Sequence, residues 1–457
     1  MSPTLICETI GTPASKGGHP EAQETKRAHQ AKGESRLVAR IIVGIDVGTT
    51  KICTLIGQVD ELELEAEDPT RPPLRIIGIG VVPARGMRKG VVTDLDAATK
   101  AVAESVDRAE RVSGHTVTEA YVSVGGAHIS SQNSRGVVAI GRGDRPVDRE
   151  DIERAMEAAQ AIAISHNRRI IHCIPREFVV DGQDGIKNPL GLLGYRLEVE
   201  AHIVTGALSS IQNLRKCIEA NEIEIADLVL QPLATAEAVL TEEEKNMGVT
   251  VADIGGGTID MAIHLAGSVW ETLVHDVGGY QISNDIAVGL RTPFATAEEL
   301  KVRYAHALPS AVAEGEVIEF SSFGSDSVTS ISRRELCEIV ALRVEEMLDA
   351  IAQDIRRSGL ASLLPAGVVL AGGTANLRGL RDLAQKKLGV PVRIGAPRQL
   401  RGLSEAVSSP AYATAVGLLL WGMQQETSRV ENAYRVSTGG TWFQQMLKWL
   451  RVLLPGT

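Results

Sequence analysis

Residues 248–267 read "GVTVADIGGGTIDMAIHLAG" and residues 36–57 read "RLVARIIVGIDVGTTKICTLIG". Each is an apolar, β-branched run, an aspartate, a Gly/Thr turn and a second apolar run, the pattern of strand, hairpin, strand. Setting Asp46 against Asp253 places the copies 253 − 46 = 207 residues apart, which predicts a duplicated domain pair. The turns carry specific chemistry. Gly48, Gly255, Gly256 and Gly257 let successive N–H groups point at one spot and let a ligand approach the backbone closely. Thr49, Thr50 and Thr258 add hydroxyls and Lys51 adds a positive charge, so the nest suits phosphate. Bare aspartates would repel a polyphosphate; Asp46 and Asp253 therefore call for a divalent cation, Mg²⁺ held through water. Taken singly, each segment also reads as a Gly-rich hairpin with an Asp-capped turn.

A third segment, residues 366–380, "AGVVLAGGTANLRGL", runs from an apolar strand through Gly372, Gly373 and Thr374 into a helical pattern. Alone it is a common structural turn. With the two hairpins it completes a set.

The rest of the chain sets the bounds. At 457 residues and 44% hydrophobic content it exceeds what one core usually holds, so two or more domains are expected. A net charge of −10 argues against a nucleic-acid partner, which needs a basic face to displace counterions. The five cysteines, Cys7, Cys53, Cys173, Cys217 and Cys337, are scattered, odd in number and without a CxxC pair, which disfavours a disulfide framework or a zinc site. No apolar run reaches the ~18–20 residues needed to span a bilayer. The start lacks the apolar core of a signal peptide, so a cytoplasmic protein is expected. Residues 1–38 are polar and without periodicity and read as disordered.

The last residues, "TWFQQMLKWLRVLLPGT", hold two of the chain's four tryptophans. On a helical wheel Trp442, Phe443, Met446, Leu447, Trp449, Leu450, Leu453 and Leu454 fill an arc of about 160°. Gln444, Gln445, Lys448 and Arg451 lie opposite, and only Val452 strays. At ~20 Å this helix is too short to cross a bilayer but suited to lie in an anionic membrane surface. The plainer alternative is a terminal helix docked on the protein's own core. The preceding polar stretch, residues 424–440, reads as a linker that separates it from that core.

The three Gly-rich segments, in this order, resemble the phosphate-1, phosphate-2 and adenosine motifs of the actin, sugar-kinase and DnaK-type ATPases. Within that superfamily the chain resembles the FtsA family of bacterial cell-division proteins from about residue 41 onward. The text that carries this is "GIDVGTTKI", "VGGAHISSQNSRGVV", "DGIKNPLGLLGYRLEVEAHIVTG", "DIGGGTIDMAI" and "NDIAVGLRTPFATAEELKVRYAHAL". The resemblance implies an α/β, actin-like fold of two lobes built from duplicated ribonuclease-H-like domains, with an inserted subdomain 1C. It divides the chain into 39–120 and 204–245 (1A), 121–203 (1C), 246–277 and 361–423 (2A and a return helix), 278–360 (2B), 424–440 (linker) and 441–457 (membrane-targeting helix). Within 1A, Leu95, Ala98, Val102, Val106 and Ala109 recur at helical spacing, and the insert opens on "EAYVSVGGAHI". "YATAVGLLLWG" is the expected return helix, its small residues suited to close packing, although a plain buried helix reads the same.

The resemblance also implies site residues and partners. Glu298 and Lys301, at i and i+3 on one helix face, flank an adenosine, where by themselves they read as a solvated ion pair. Gly278 and Gly279 form another close backbone turn. Gln231 falls where relatives carry a catalytic carboxylate or glutamine; its amide orients water but takes no proton, so at most a slow ATPase is implied. The implied cofactors are ATP and Mg²⁺. The implied partners are the C-terminal tail of FtsZ at 2B, further copies of the chain in a polymer, anionic membrane lipids, and other division proteins at 1C, on the cytoplasmic face of the membrane at the septum. The insert argues against a small-molecule kinase on the same fold, and the tail against a PilM-like pilus-assembly protein.

Overall fold

The computed structural model describes residues 40–59, 73–141, 145–323, 328–398 and 400–425. The expected N-terminal extension and the amphipathic tail lie outside the described residues, as does nearly all of the linker. Residues 424–425, assigned to the linker, are the last turn of a helix that runs through 413–425.

Two sheets repeat one arrangement. In the first, Arg40–Val47 pairs antiparallel with Lys51–Val59, which pairs antiparallel with Leu74–Pro83; on the other side Glu119–Val124 and then Glu224–Leu230 add in parallel. In the second, Val249–Ile254, Ile259–Leu265 and Ser268–His275 form the antiparallel set, and Val368–Ala371 and Val392–Ile394 add in parallel. A short strand, Arg401–Gly402, extends only the first sheet. The hairpins are in phase: Asp46 faces Cys53 and Asp253 faces Asp260. The strand Glu119–Val124, expected to open the insertion, instead belongs to the first sheet. Its buried run Ala120–Val124 is explained by parallel neighbours on both sides.

Between the sheets lie two helices, Gln231–Val239 and 413–425. Their Leu233, Ala236, Val416 and Leu419 share one apolar core with Leu55 of the first sheet and Val251 of the second. Each large side chain buried there contributes about 1.5–3 kcal/mol. The helices cross in close contact: a Cβ on Gly417 would stand 1.7 Å from the carbonyl oxygen of Ala234. The outer face of the first sheet is covered by Leu95–Ser113 and Leu208–Glu219. In the former, Asp94 caps the start and Gly114 the end, and Ala98, Val102, Val106 and Ala109 are buried as the spacing predicts. Leu95, in the first turn, is exposed. The outer face of the second sheet is covered by Gly279–Leu290, Phe294–Tyr304, Arg333–Arg357 and Leu380–Leu388.

The insertion is a separate four-stranded antiparallel sheet, ordered Ser130–Ala139, Arg196–Ala207, Arg168–Val180, Gln183–Ile186. It has its own small core under helix Arg149–Gln160, which starts from a capping box at Asp148 and Asp151. Although it grows from the first lobe, it is bonded to the second. Ser131 Oγ donates to the carbonyl of Thr272 at 2.8 Å, His202 Nε2 lies 2.9 Å from Thr272 Oγ1, and the Arg176 guanidinium sits 4.0 Å over the Trp270 ring. Burial holds the His202 imidazole neutral, its pKa lowered to about 4.

Candidate functional site

The two hairpin turns meet tip to tip. In the first, Gly48 N–H donates to the Lys51 carbonyl at 3.1 Å; in the second, Gly255 N–H donates to that of Thr258 at 2.9 Å, the same bond in the same place. Their approach depends on missing side chains. A Cβ on Gly256 would lie 2.3 Å from Thr50 Cγ2, and one on Gly257 2.5 Å from Thr49 Oγ1. The third turn joins them through Thr374, whose hydroxyl donates to the Gly255 carbonyl at 3.0 Å. One cleft is thus lined by Asp46, Gly48, Thr49, Thr50, Lys51, Gln231, Asp253, Gly255, Gly256, Gly257, Thr258, Gly372 and Gly373, so the structure brings together the expected phosphate and cation residues.

A second cavity shares Gly373 with this cleft. Ile282, Val302 and Leu377 give it apolar walls, and Lys301, Thr374 and Arg378 edge it with polar groups. Lys301 Nζ donates to the Gly279 carbonyl at 3.0 Å and to Glu298 Oε2 at 2.8 Å; Ser283 donates to that same carboxylate oxygen. The Glu298–Lys301 pair is therefore tied to the Gly278–Gly279 turn rather than freely solvated. Gly279 N–H in turn donates to the Gly255 carbonyl at 3.0 Å.

The electrostatics of the cleft are set by buried acids. Asp46 accepts from Ser123 Oγ at 2.9 Å. Burial raises its pKa against the Lys51 charge and the Ser123 hydrogen bond, and the neighbouring Asp253 raises it further. Asp253 accepts from Thr235 at 2.6 Å and Thr414 at 2.8 Å, which oppose the rise that burial imposes. Asp260 accepts from Thr258 at 2.6 Å, and its pKa is raised to about 7, first by burial and then by Asp253 and Asp46. Its Oδ1, against Gly125, has no partner of hydrogen-bond geometry. Lys51, the cation of the set, donates to the Ala411 carbonyl and lies 4.0 Å over the Tyr412 ring.

Three buried carboxylates with one orphaned oxygen and a single lysine call for added positive charge, so the residues fit a divalent cation. Among the described residues no cluster of three His, Cys, Asp or Glu side chains is set to ligate an ion directly. Gln231 is the first residue of its helix, with Pro232 in the first turn; its Oε1 and Asp260 Oδ1 both lie against Gly125. The sequence reading missed Ser123, Thr235, Asp260, Ala411, Tyr412 and Thr414. Only Asp260 left a signal, as an acid in a strand that is apolar apart from it and His264.

Comparisons with known proteins bear on the family and the fold. A family model described as cell division protein FtsA matches residues 250–417, and one described as the SHS2 domain inserted in FtsA matches 126–205, the span of the four-stranded sheet. The chain is 41% identical over 388 residues to cell division protein FtsA of Pseudomonas aeruginosa, covering 85% of this chain and 90% of that one. It is 36% identical over 421 residues to that of Escherichia coli K12, covering 90% and 98%. Among solved structures it resembles a chain of a PilM–PilN type IV pilus biogenesis complex, at 16% identity and TM-score 0.61 over 83% of this chain and 98% of that one. It also resembles MreB5 of Spiroplasma citri bound to ADP, at 13% identity and TM-score 0.52 over 86% and 99%. These structural neighbours share the actin-like two-lobed fold.

Proposed function

The chain belongs to the FtsA family of cell division proteins, and on that premise we propose that it is an ATP-dependent scaffold of division rather than a metabolic enzyme. The observation that carries the nucleotide is the in-phase meeting of the two hairpins with the Gly372–Gly373 turn around one set of buried acids. The MreB neighbour bound to ADP supports the same reading. The backbone N–H groups and the hydroxyls of Thr49, Thr50 and Thr258 bind phosphate oxygens, Lys51 leaves Ala411 to pair with them, and the cavity at Lys301 takes the adenosine. Asp46 and Asp253 hold Mg²⁺, which supplies charge neutralisation of the phosphates. Gln231 orients water but accepts no proton; Asp260, beside it against Gly125, is the group whose raised pKa allows it to take one at neutral pH. With Gln231 unable to accept a proton and only one weak base beside it, turnover is slow.

The nucleotide-bound chain polymerises on the cytoplasmic membrane, the 441–457 tail inserting in anionic lipid. The face around 278–360 tethers the FtsZ C-terminal tail, and the insertion recruits other division proteins. These assignments rest on the family and on the amphipathic pattern of the tail. Liposome co-sedimentation with and without ATP and FtsZ C-terminal peptide tests them: the protein pellets with anionic vesicles and carries the peptide with it. Failure to pellet removes the membrane scaffold. For the cleft, calorimetry of Asp253→Ala against Mg-ATP shows a loss of at least about tenfold in affinity; unchanged affinity overturns the nucleotide assignment.

A further inference from the structure

Asp253 is gripped from two directions. Thr235 comes from helix Gln231–Val239 and Thr414 from the first turn of helix 413–425, 179 residues away in the chain, and both hydroxyls donate to one atom, Asp253 Oδ2, at 2.6 and 2.8 Å. The two hydroxyl oxygens are 3.0 Å apart. A threonine hydroxyl has a single proton to give. With both protons spent on Oδ2, the Thr235–Thr414 edge carries no hydrogen bond of its own. The two helices bring these oxygens together only because Gly417 lets them cross at contact with Ala234.

We propose that Thr235 and Thr414 are positioning residues for the cation that accompanies nucleotide, acting through Asp253; the inference rests on the nucleotide reading above. Saturating Oδ2 from the interior fixes the rotation of the carboxylate and leaves Oδ1 as its remaining oxygen. That oxygen lies over Gly372, where a Cβ would stand 2.3 Å from it. A helical threonine usually turns its hydroxyl back to its own helix or to solvent. Here two of them, 0% and 7% exposed, are aimed at one acid on a neighbouring strand. The same short segment also supplies the Ala411 carbonyl and Tyr412 ring that hold Lys51, and the Pro410 carbonyl that accepts from Gly372 N–H at 3.2 Å. Residues of all three Gly-rich turns therefore meet on residues 410–414.

The test is a Mg²⁺ titration of the binding of a fluorescent ATP analogue by the full chain, with a parallel measurement in excess EDTA and a thermal melt of every variant. Thr414→Val, which keeps the shape and removes the hydroxyl, raises the Mg²⁺ concentration for half-maximal binding about tenfold and weakens binding in EDTA by clearly less. Thr414→Ser restores the wild-type titration. Thr235→Val, acting on the same oxygen from the other helix, repeats the loss and stands in for Thr414→Val should that variant melt early. Wild-type behaviour in both valine variants overturns the inference; so does an equal loss in Mg²⁺ and in EDTA, or a serine that fails to rescue. A wild-type chain that binds no nucleotide in either condition overturns instead the reading on which this one stands.

Discussion

Asp253 stands directly across the second hairpin from Asp260, at the register position where Asp46 faces Cys53 in the first. Partners in such a pair project to the same face of the sheet, so the second lobe presents two acids where the first presents one acid and a thiol. Burial pushes the Cys53 thiol up to about 12, so it stays neutral. The asymmetry makes Asp260 a cost to the fold at neutral pH.

That cost is measurable. Asp260 has a folded pKa of about 7 against an ordinary value of 3.8, so between these values the folded state holds a proton that the unfolded chain releases. Stability therefore falls as pH rises from about 4 through 7. Asp260→Asn removes this slope: the variant matches wild type near pH 4 and is more stable at pH 8 by on the order of 1–3 kcal/mol. Urea unfolding at the two pH values checks it, and a variant less stable at pH 8 contradicts it.

Gln231 lies within hydrogen-bonding influence of Asp46 and against Gly125 beside Asp260. Gln231→Glu adds a carboxylate among carboxylates, so its own pKa rises and it becomes a competent base. Phosphate release in the presence of Mg-ATP increases at least about tenfold. A rate unchanged by this substitution places the attacking water elsewhere.

Gly417→Ala tests the crossing of the two central helices. The new Cβ would stand 1.7 Å from a backbone oxygen, which no rotamer change relieves. A destabilisation of about 3 kcal/mol or more is expected in denaturant unfolding. Near-neutral behaviour means that the helices can slide apart at little cost.

The tail prediction rests on sequence, because residues 441–457 lie outside the described residues. Each large side chain buried in the interface contributes about 1.5–3 kcal/mol, and Lys448 and Arg451 add roughly 1 kcal/mol each near anionic lipid, screened by salt. Trp449→Glu, or deletion of 441–457, releases the protein from vesicles while nucleotide binding persists. If the core instead melts early in either variant, the helix is a docked structural element.

The hairpins were legible because their signals are local: a β-branched run, a turn glycine, a second run, all within some twenty residues. The strand Glu119–Val124 was misplaced for the opposite reason, since its neighbours at 40–47 and 224–230 are distant in the chain and parallel pairing leaves no adjoining turn to read. Leu95 fits the helical spacing yet is exposed, at the first position of its helix. Thr235 and Thr414 were invisible: a threonine in a helix looks like a weak helix former until the third group that it serves is in place. Asp260 could have been found by carrying the alignment of the two hairpins seven residues further.

The bonds from Ser131 and His202 to Thr272 give the molecule a second joint between its halves. Parting the lobes on this side would have to break these bonds or carry the inserted sheet along with strand Ser268–His275.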